Sequence, residues 1–323
     1  MSLLFGRGPG IGLEVGQRAL RAAKLAGRTG ERRVEWAGGV ELPPGLLLDS
    51  FTEPNITDMQ AFADTVRGVF SGLGRMGKGV NVALPDYVSR VSILDFDTYP
   101  GKSEEVEKML RWRLRKLVPF DVDQAALRFQ FLGRFGAREK FAHRFLVSII
   151  KADILDQYSQ AFGLAGLRPE HIEIASFSVW NLYHDHILKA AGGGANFALM
   201  NVFDRKLTVI VFDQGVPHFL RLKDLGKAGY GEDDSRLDAS RVVRELNASL
   251  VYYKENYAQT PVGRVFITGD SGWVNGIAND VRENSSLDAT VLDPGKVVDG
   301  SRVQSAPGGL PAYTAACGAA LEH

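Results

Sequence analysis

Apolar residues along this chain recur at two spacings, one typical of strands and one of helices. Ile11 to Val15 reads as a strand, Gly16 as a turn and Ala19 to Leu25 as a second strand, although alanine and arginine there also suit a helix. Val34 to Leu42 adds a third strand before the Pro43-Pro44-Gly45 break. Ile56, Met59, Ala63, Val66 and Phe70 then fall on one helical face and predict a helix from about Thr57 to Ser71. Asn55 or Thr57 is the expected cap, and Gly72 and Gly74 suit the exit. Val80 to Leu84 is a short apolar strand stopped by Pro85.

Residues 88 to 166 read as a unit of their own. Val88 to Phe96 is strand-like. A helix follows, capped by Ser103, opening with Glu104, Glu105 and Glu107 and closing with Arg111, Arg113, Arg115 and Lys116, an order that complements the helix dipole. Pro119 stops it. Ala126 to Leu132 and Phe145 to Ile150 are strands, and Ala152 to Phe162 a helix, which together describe a small α+β subdomain. Ile172 to Ile174 is a short strand before a helix to about Ala190, and Gly192-Gly193-Gly194 reads as a lobe boundary. Phe197 to Phe203, Leu207 to Phe212 and Val216 to Leu222 then form a strand meander. A polar loop from Gly226 to Ser235 precedes a helix from Ala239 to Tyr257, with Val242, Val243, Leu246, Leu250, Tyr253 and Tyr257 on one face. Val265 to Thr268 is a buried strand, Gly269 to Gly272 a tight loop, Val274 to Val281 a helix, and Pro311 to Leu321 the last helix.

Composition narrows the class. With 323 residues, 45% hydrophobic and 24% charged, the chain is a globular protein long enough for two lobes sharing a cleft. Zero net charge supplies no general attraction to nucleic acid or to anionic lipid. The single cysteine, Cys317, rules out an intrachain disulfide, so nothing requires an oxidising compartment. No apolar run reaches the length of a membrane span, and the opening residues are too short for a signal peptide. The expected location is the cytoplasm. Leu321-Glu322-His323 looks like the stump of a purification tag, which would leave any following membrane anchor out of the sequence.

Several local patterns carry less than they suggest. Gly72-Leu73-Gly74-Arg75-Met76-Gly77-Lys78-Gly79 nearly matches a phosphate-binding P-loop, but Gly79 replaces the Ser or Thr that would hold Mg²⁺. The stretch also follows a helix and opens a strand, the reverse of the P-loop order. His184 and His186, two apart on a helix, point to different faces and cannot readily share a metal. Arg18, Arg21, Lys24, Arg28, Arg32 and Arg33 form a basic set without the stacking aromatics of a nucleic-acid surface, so a solvated edge is expected. Cys317, among small apolar residues, reads as a core cysteine. The informative pattern is a pair of strand–turn–strand units, Ile11 to Leu25 and Leu199 to Phe212, with a strand–glycine loop–helix unit at Val265 to Val281. Backbone amides in such turns can hold phosphates. The pattern suits a paired-lobe nucleotide-binding fold, while unrelated turns in an α/β protein would look the same.

The chain as a whole resembles the PilM family, actin-like cytoplasmic proteins of type IV pilus assembly, and more distantly the cell-division protein FtsA. Leu4-Phe5-Gly6-Arg7 followed by Ile11-Gly12-Leu13-Glu14-Val15-Gly16 is similar to the family's opening. Val82-Ala83-Leu84-Pro85 with Val91 to Phe96 resembles the start of its inserted subdomain, and Trp112 through Val118-Pro119-Phe120 its helix end. Arg244 to Tyr253, Val265-Phe266-Ile267-Thr268-Gly269 and Leu310-Pro311-Ala312-Tyr313 through Gly318 follow the closing segments in order. The order and spacing of these motifs over the whole chain, rather than any one of them, carry the resemblance.

The resemblance implies an α/β, actin-like (ribonuclease-H-like) two-lobed fold. Residues 1–85 and 167–193 would form the first lobe, 86–166 the inserted α+β subdomain, and 194–323 the second lobe, with the final helix (about 311–321) packing back on the first. It implies a scaffold that binds the N-terminal peptide of an inner-membrane PilN-like protein, in a groove between the first core subdomain and the inserted one. Other pilus or secretion machinery proteins would be further partners, and the membrane would be reached only through them. The nucleotide residues carried over are Glu14, Gly16, Gln17, Asn201, Gly269, Ser271 and Gly272. Departures surround them. Glu14 stands where the family has Asp, Gln17 and Arg18 replace small hydroxyl residues, and Asn201-Val202-Phe203 replaces Asp-Ile-Gly. Phe203 would block a phosphate's approach to the backbone, and Asn201 lacks the carboxylate that helps order Mg²⁺. Asp270 adds negative charge to the third loop. The expectation is therefore a pseudo-ATPase with no favoured cofactor, ATP with Mg being the ligand to test. Two alternatives stand beside it: the cytoplasmic domain of a GspL-like type II secretion protein, and an active actin-like ATPase.

Overall fold

The computed structural model describes residues 10–28, 30–74, 77, 79–137, 140–192, 196–226, 239–257, 261–269, 272–303 and 307–321. Outside them lie the leader Leu4 to Arg7, Arg75, Met76 and Lys78 of the glycine-rich stretch, Gly193 and Gly194, the loop after Gly226, Asp270, Ser271, Glu322 and His323.

The first sheet has the order β3-β2-β1-β4-β8, built from β1 (Ile11–Val15), β2 (Ala19–Ala26), β3 (Arg33–Glu41), β4 (Gly79–Leu84) and β8 (Arg168–Ile174). The second has the order β11-β10-β9-β12-β13, from β9 (Phe197–Phe203), β10 (Lys206–Asp213), β11 (Val216–Asp224), β12 (Arg264–Gly269) and β13 (Asp288–Val291). In each, an antiparallel meander is extended by parallel strands: β1 pairs in parallel with β4, and β9 with β12. A third sheet, β5-β7-β6, joins β5 (Arg90–Phe96), β6 (Ala125–Ala137) and β7 (Lys140–Lys151).

Period-two alternation decides what each sheet faces. On β9, Phe197 and Leu199 turn toward the interior between the two large sheets, while Ala198, Met200 and Val202 turn to the far side. On β4, Val80, Val82 and Leu84 face outward onto α1 (Met59–Val69) and α3 (Ala152–Leu164), whereas Ala83 faces the interior. The interior is filled by α4 (Ala175–Ala191) and α7 (Thr314–Ala319), whose buried residues make one core with both sheets. Trp180 of α4 stacks on Phe212 with ring centroids 4.0 Å apart and on Phe197 at 6.3 Å. Beyond the second sheet lie α5 (Ala239–Asn256) and α6 (Val274–Asn284), and α2 (Ser103–Leu114) covers the third.

The last helix packs closely enough that side chains would not fit. A Cβ on Gly12 would lie 2.1 Å from the Ala316 carbonyl oxygen, and one on Gly318 only 1.9 Å from that of Ser178. Asn81 closes the contact by donating to the Ala319 carbonyl at 2.9 Å. Cys317 is fully buried in this packing, and burial pushes its thiol up to about 12, leaving it a core residue rather than a nucleophile.

Local expectations need some correction. The cap of α1 is Asp58, whose carboxylate accepts from the Ala61 amide at 2.9 Å; Asn55 is instead buried, donating to the Ser50 and Glu53 carbonyls. Ser103 is the first helical residue of α2, and Lys102 precedes it without a side-chain cap bond. Residues 86–88 form a 3₁₀ turn, so β5 begins at Arg90. The closing helix opens as a 3₁₀ turn, Leu310–Tyr313, before α7. Tyr257 is 49% exposed, so the buried face of α5 ends at Tyr253. Strand β13 was not expected, because its four residues carry no apolar run.

Candidate cleft between the lobes

The turns at the ends of β1 and β9 face each other across a cavity. It is lined on one side by Glu14, Val15, Gly16, Pro85, Asp86, Tyr87 and Ala175, and on the other by Asn201, Phe203, Asp204, Lys206 and Thr208 of the second lobe. The same alternation that buries Phe197 and Leu199 brings Asn201 and Phe203 onto this face, and does so for Thr208 on β10 and Thr268 on β12. The cavity volume is about 40 Å³. That admits a few waters at about 10–15 Å³ each on this measure, and is far below the several hundred Å³ of typical small-molecule sites.

Its floor is a hydrogen-bond network joining the lobes. Asp86 accepts from the Ser176 amide at 2.9 Å, from the Ser176 hydroxyl, and from the Thr208 hydroxyl at 2.6 Å. Asn201 donates to the Ser176 Oγ at 3.1 Å and accepts from the Thr268 hydroxyl at 2.7 Å. Burial pushes the Asp86 carboxyl above its ordinary value, and its three hydrogen bonds oppose that rise. A buried polar group without partners costs free energy, so this set holds the lobes together as a unit. Lys206 adds an ionic link: its ammonium bonds Asp49 of the first lobe and Asp224 of β11, and lies 5.8 Å from the centre of the Tyr87 ring.

At the rim, Asp204 and Arg205 form a two-residue hairpin turn with φ of 49° and 59°, the left-handed pairing that joins twisted strands most easily. The turn throws the Asp204 carboxylate across the cleft, where Oδ2 accepts from the Gln17 backbone amide at 2.6 Å. Gly16 permits this approach, since a Cβ there would lie 3.1 Å from the same oxygen. One lobe's carboxylate thus occupies the other lobe's first turn.

Of the residues singled out from sequence, Glu14, Gly16 and Asn201 line the cavity, and Gln17 meets it through its amide. Gly269 and Gly272 do not line it. A Cβ on Gly269 would lie 2.6 Å from the Val202 carbonyl, so strand packing accounts for that glycine. Ser271 and Asp270 lie outside the described residues. Asp86, Ser176, Thr208, Thr268, Asp204 and Lys206 were missed. They are single polar residues scattered along the chain, and only period-two placement on inward faces could have marked Thr208 and Thr268.

Elsewhere, no group of three or more His, Cys, Asp or Glu among the described residues is arranged to hold a metal ion. His184 Nδ1 lies 2.8 Å from the neighbouring Asp185 carboxylate. In the basic edge, Lys24 and Arg33 both pair with Glu35, at 3.0 and 3.5 Å. No helix among the described residues is long and apolar enough to cross a membrane.

Comparison with known proteins gives both a family and a fold. The pattern describing "Type IV pilus assembly protein PilM" matches residues 12–233, more than half the chain. No curated protein matches the sequence. Among solved structures, a PilM-PilN type IV pilus biogenesis complex is 17% identical with a TM-score of 0.80, over 98% of each chain. A Bacteroides thetaiotaomicron protein of actin-like ATPase fold and unknown function is 10% identical with a TM-score of 0.51, over 88% of this chain and 90% of that one. The cytoplasmic domain of EpsL, from the Vibrio cholerae type II secretion system, is 11% identical with a TM-score of 0.45, over 80% of this chain and 81% of that one. The architecture, two mixed sheets with a small antiparallel one, is the actin-like fold.

Proposed function

The chain belongs to the PilM family of type IV pilus assembly proteins, and from that premise we propose that it is a non-hydrolysing scaffold that binds the N-terminal peptide of a PilN-like inner-membrane protein. The observation that carries the scaffold reading is the closed cleft. Its cavity of about 40 Å³ is bordered by Phe203, and the Asp204–Gln17 bond ties the two lobes together beside it, which supports a cleft that holds no nucleotide. Asn201, where a metal-ordering carboxylate would be needed, is committed to Ser176 and Thr268. Neither ATP nor Mg²⁺ is required for such a role, and the protein would reach the inner membrane from the cytoplasm through its partner.

The partner is carried over from the PilM-PilN complex that the chain matches along its whole length. The place for the peptide is the seam between the first lobe and the inserted subdomain. There Gln157 of α3 holds the backbone of Asn55 and Ile56, Lys151 donates to the Thr52 carbonyl, and Phe51 packs on Phe120 at 5.1 Å. Leu48 and Leu117, each three residues before one of those rings, are 47% and 40% exposed and offer apolar contact to an extended peptide.

Calorimetric titration tests both halves. A synthetic N-terminal peptide of a PilN-like protein should bind the unsubstituted chain, and Leu48→Asp with Leu117→Asp should weaken it at least tenfold. ATP with Mg²⁺ should show neither binding nor phosphate release. Steady turnover would install the ATPase alternative, and failure of every such peptide to bind would remove the pilus partner.

A further inference from the structure

In the first-lobe turn a backbone amide meets a carboxylate supplied by the second lobe. Turns of this kind gather amide dipoles that favour negative charge. Here the Gly16 amide is used internally, donating to the Ala19 carbonyl at 3.0 Å, which leaves the Gln17 amide to point into the cleft. The Arg21 guanidinium flanks the same spot, 3.8 Å from where a Gly16 Cβ would be. Into this position the second lobe inserts Asp204, whose carboxylate accepts from the Gln17 amide at 2.6 Å, a short contact. The carboxylate is aimed by the left-handed Asp204–Arg205 turn, and that turn is held in place. Arg205 donates to the Gly226 carbonyl at 2.6 Å, and its own carbonyl accepts from the Leu225 amide at 2.9 Å.

We propose that Asp204 is an intramolecular stand-in for a phosphate: it fills a competent oxyanion site on the first lobe, latches the lobes together there, and excludes phosphate-bearing ligands. This rests on the closed-cleft reading above and assigns the exclusion to one residue. Two effects follow from the carboxylate. It takes the amide that a phosphate oxygen would need, and it places a negative charge where the ligand's charge would sit, beside Glu14 and Asp86 in the same cavity. Removing it frees the amide and reduces the repulsion, while Arg21 and Lys206 remain nearby.

The test uses Asp204→Ala and Asp204→Asn in the full chain, titrated calorimetrically with inorganic phosphate and, separately, with ATP and Mg²⁺. Phosphate should bind Asp204→Ala roughly tenfold or more tightly than the unsubstituted chain, the factor expected when a charge-assisted hydrogen bond no longer competes. Asp204→Asn, which keeps an acceptor oxygen without the charge, should fall between. Phosphate gain with or without ATP gain supports the proposal; without ATP gain, Phe203 still bars the nucleotide. No gain for either ligand in the folded variants overturns it, and so does a gain for ATP alone, which would place the new contacts outside the turn. If Asp204→Ala does not fold, the comparison is read from Asp204→Asn, where unchanged phosphate affinity overturns the proposal. ATP turnover is judged on the unsubstituted chain, so failure of the closed-cleft reading is seen separately.

Discussion

Replacing Glu173 with glutamine tests whether the first sheet buries a protonated acid. Glu173 lies on β8, in register with Ala83 of β4, which pairs in turn with Glu14 of β1. Its side chain is 1% exposed. Oε1 accepts from the Ser178 hydroxyl at 2.5 Å and Oε2 from the Asn181 amide at 3.2 Å. Among the described residues its basic neighbour is the His171 ring, at 4.0 Å, and burial lowers that ring's proton affinity, which disfavours a charged pair. Burial pushes the Glu173 carboxyl up from 4.5 to about 8, against the two hydrogen bonds. A raised value means that the folded state binds the proton more tightly than the unfolded one. The stabilisation is full below pH 4.5 and is lost as the pH rises to about 8. At about 1.4 kcal/mol per pH unit, the window amounts to about 5 kcal/mol across its full width and about 3 kcal/mol by pH 7. Glutamine imitates the protonated acid and does not titrate. Thermal unfolding of both proteins at pH 5, 6, 7 and 8 should show near-equal midpoints at pH 5. The variant's advantage should then grow with pH, at about 1.5 °C for each kcal/mol in a chain of 323 residues. A difference that does not change between pH 5 and pH 8 would show that Glu173 is ionised when folded, and the reasoning would fail.

Two further substitutions probe the core between the lobes, and a third on α6 is their control. Gly318→Ala drives a methyl group into the Ser178 carbonyl. Because backbone rather than a flexible side chain must yield, the loss should be about 3 kcal/mol or more by chemical denaturation. Gly276→Ala on α6, with nothing within 4 Å of the new Cβ, should be neutral or stabilising by up to about 1 kcal/mol; equal losses at the two sites would refute the packing argument. Trp180→Ala removes the ring stacked on Phe212 and should cost about 3–5 kcal/mol. It should also speed amide exchange in β9 and β10 ahead of β1 and β4, and uniform acceleration would argue against Trp180 as a link between the lobes.

Where the chain's own pattern was strong, it anticipated the structure closely. β1 and β9 begin and end at the expected residues, because each is a mainly apolar stretch with one polar residue, bounded by glycine or by a polar turn. The α2 helix was legible from its acidic start and basic end, and the meander β9-β10-β11 from its short polar turns. The cap of α1 was misplaced because Asn55, Thr57 and Asp58 are all good cap residues. The choice followed from Asn55 being drawn into the Ser50–Glu53 loop and toward α3.

The sequence by itself determined most of the elements, their order and the family resemblance, since these depend on local periodicity and on motif spacing along one dimension; β13, without an apolar run, escaped it. It also marked Phe203 and Asn201 as departures. Only the tertiary structure decided what those departures mean. Asp86, Ser176 and Thr208 are far apart in the chain, and their hydrogen bonds exist only because α4 packs between two sheets. Asp204 gains its role from a turn 187 residues away from Gln17. No local rule encodes such a meeting, because the energy of a buried contact depends on what burial brings together.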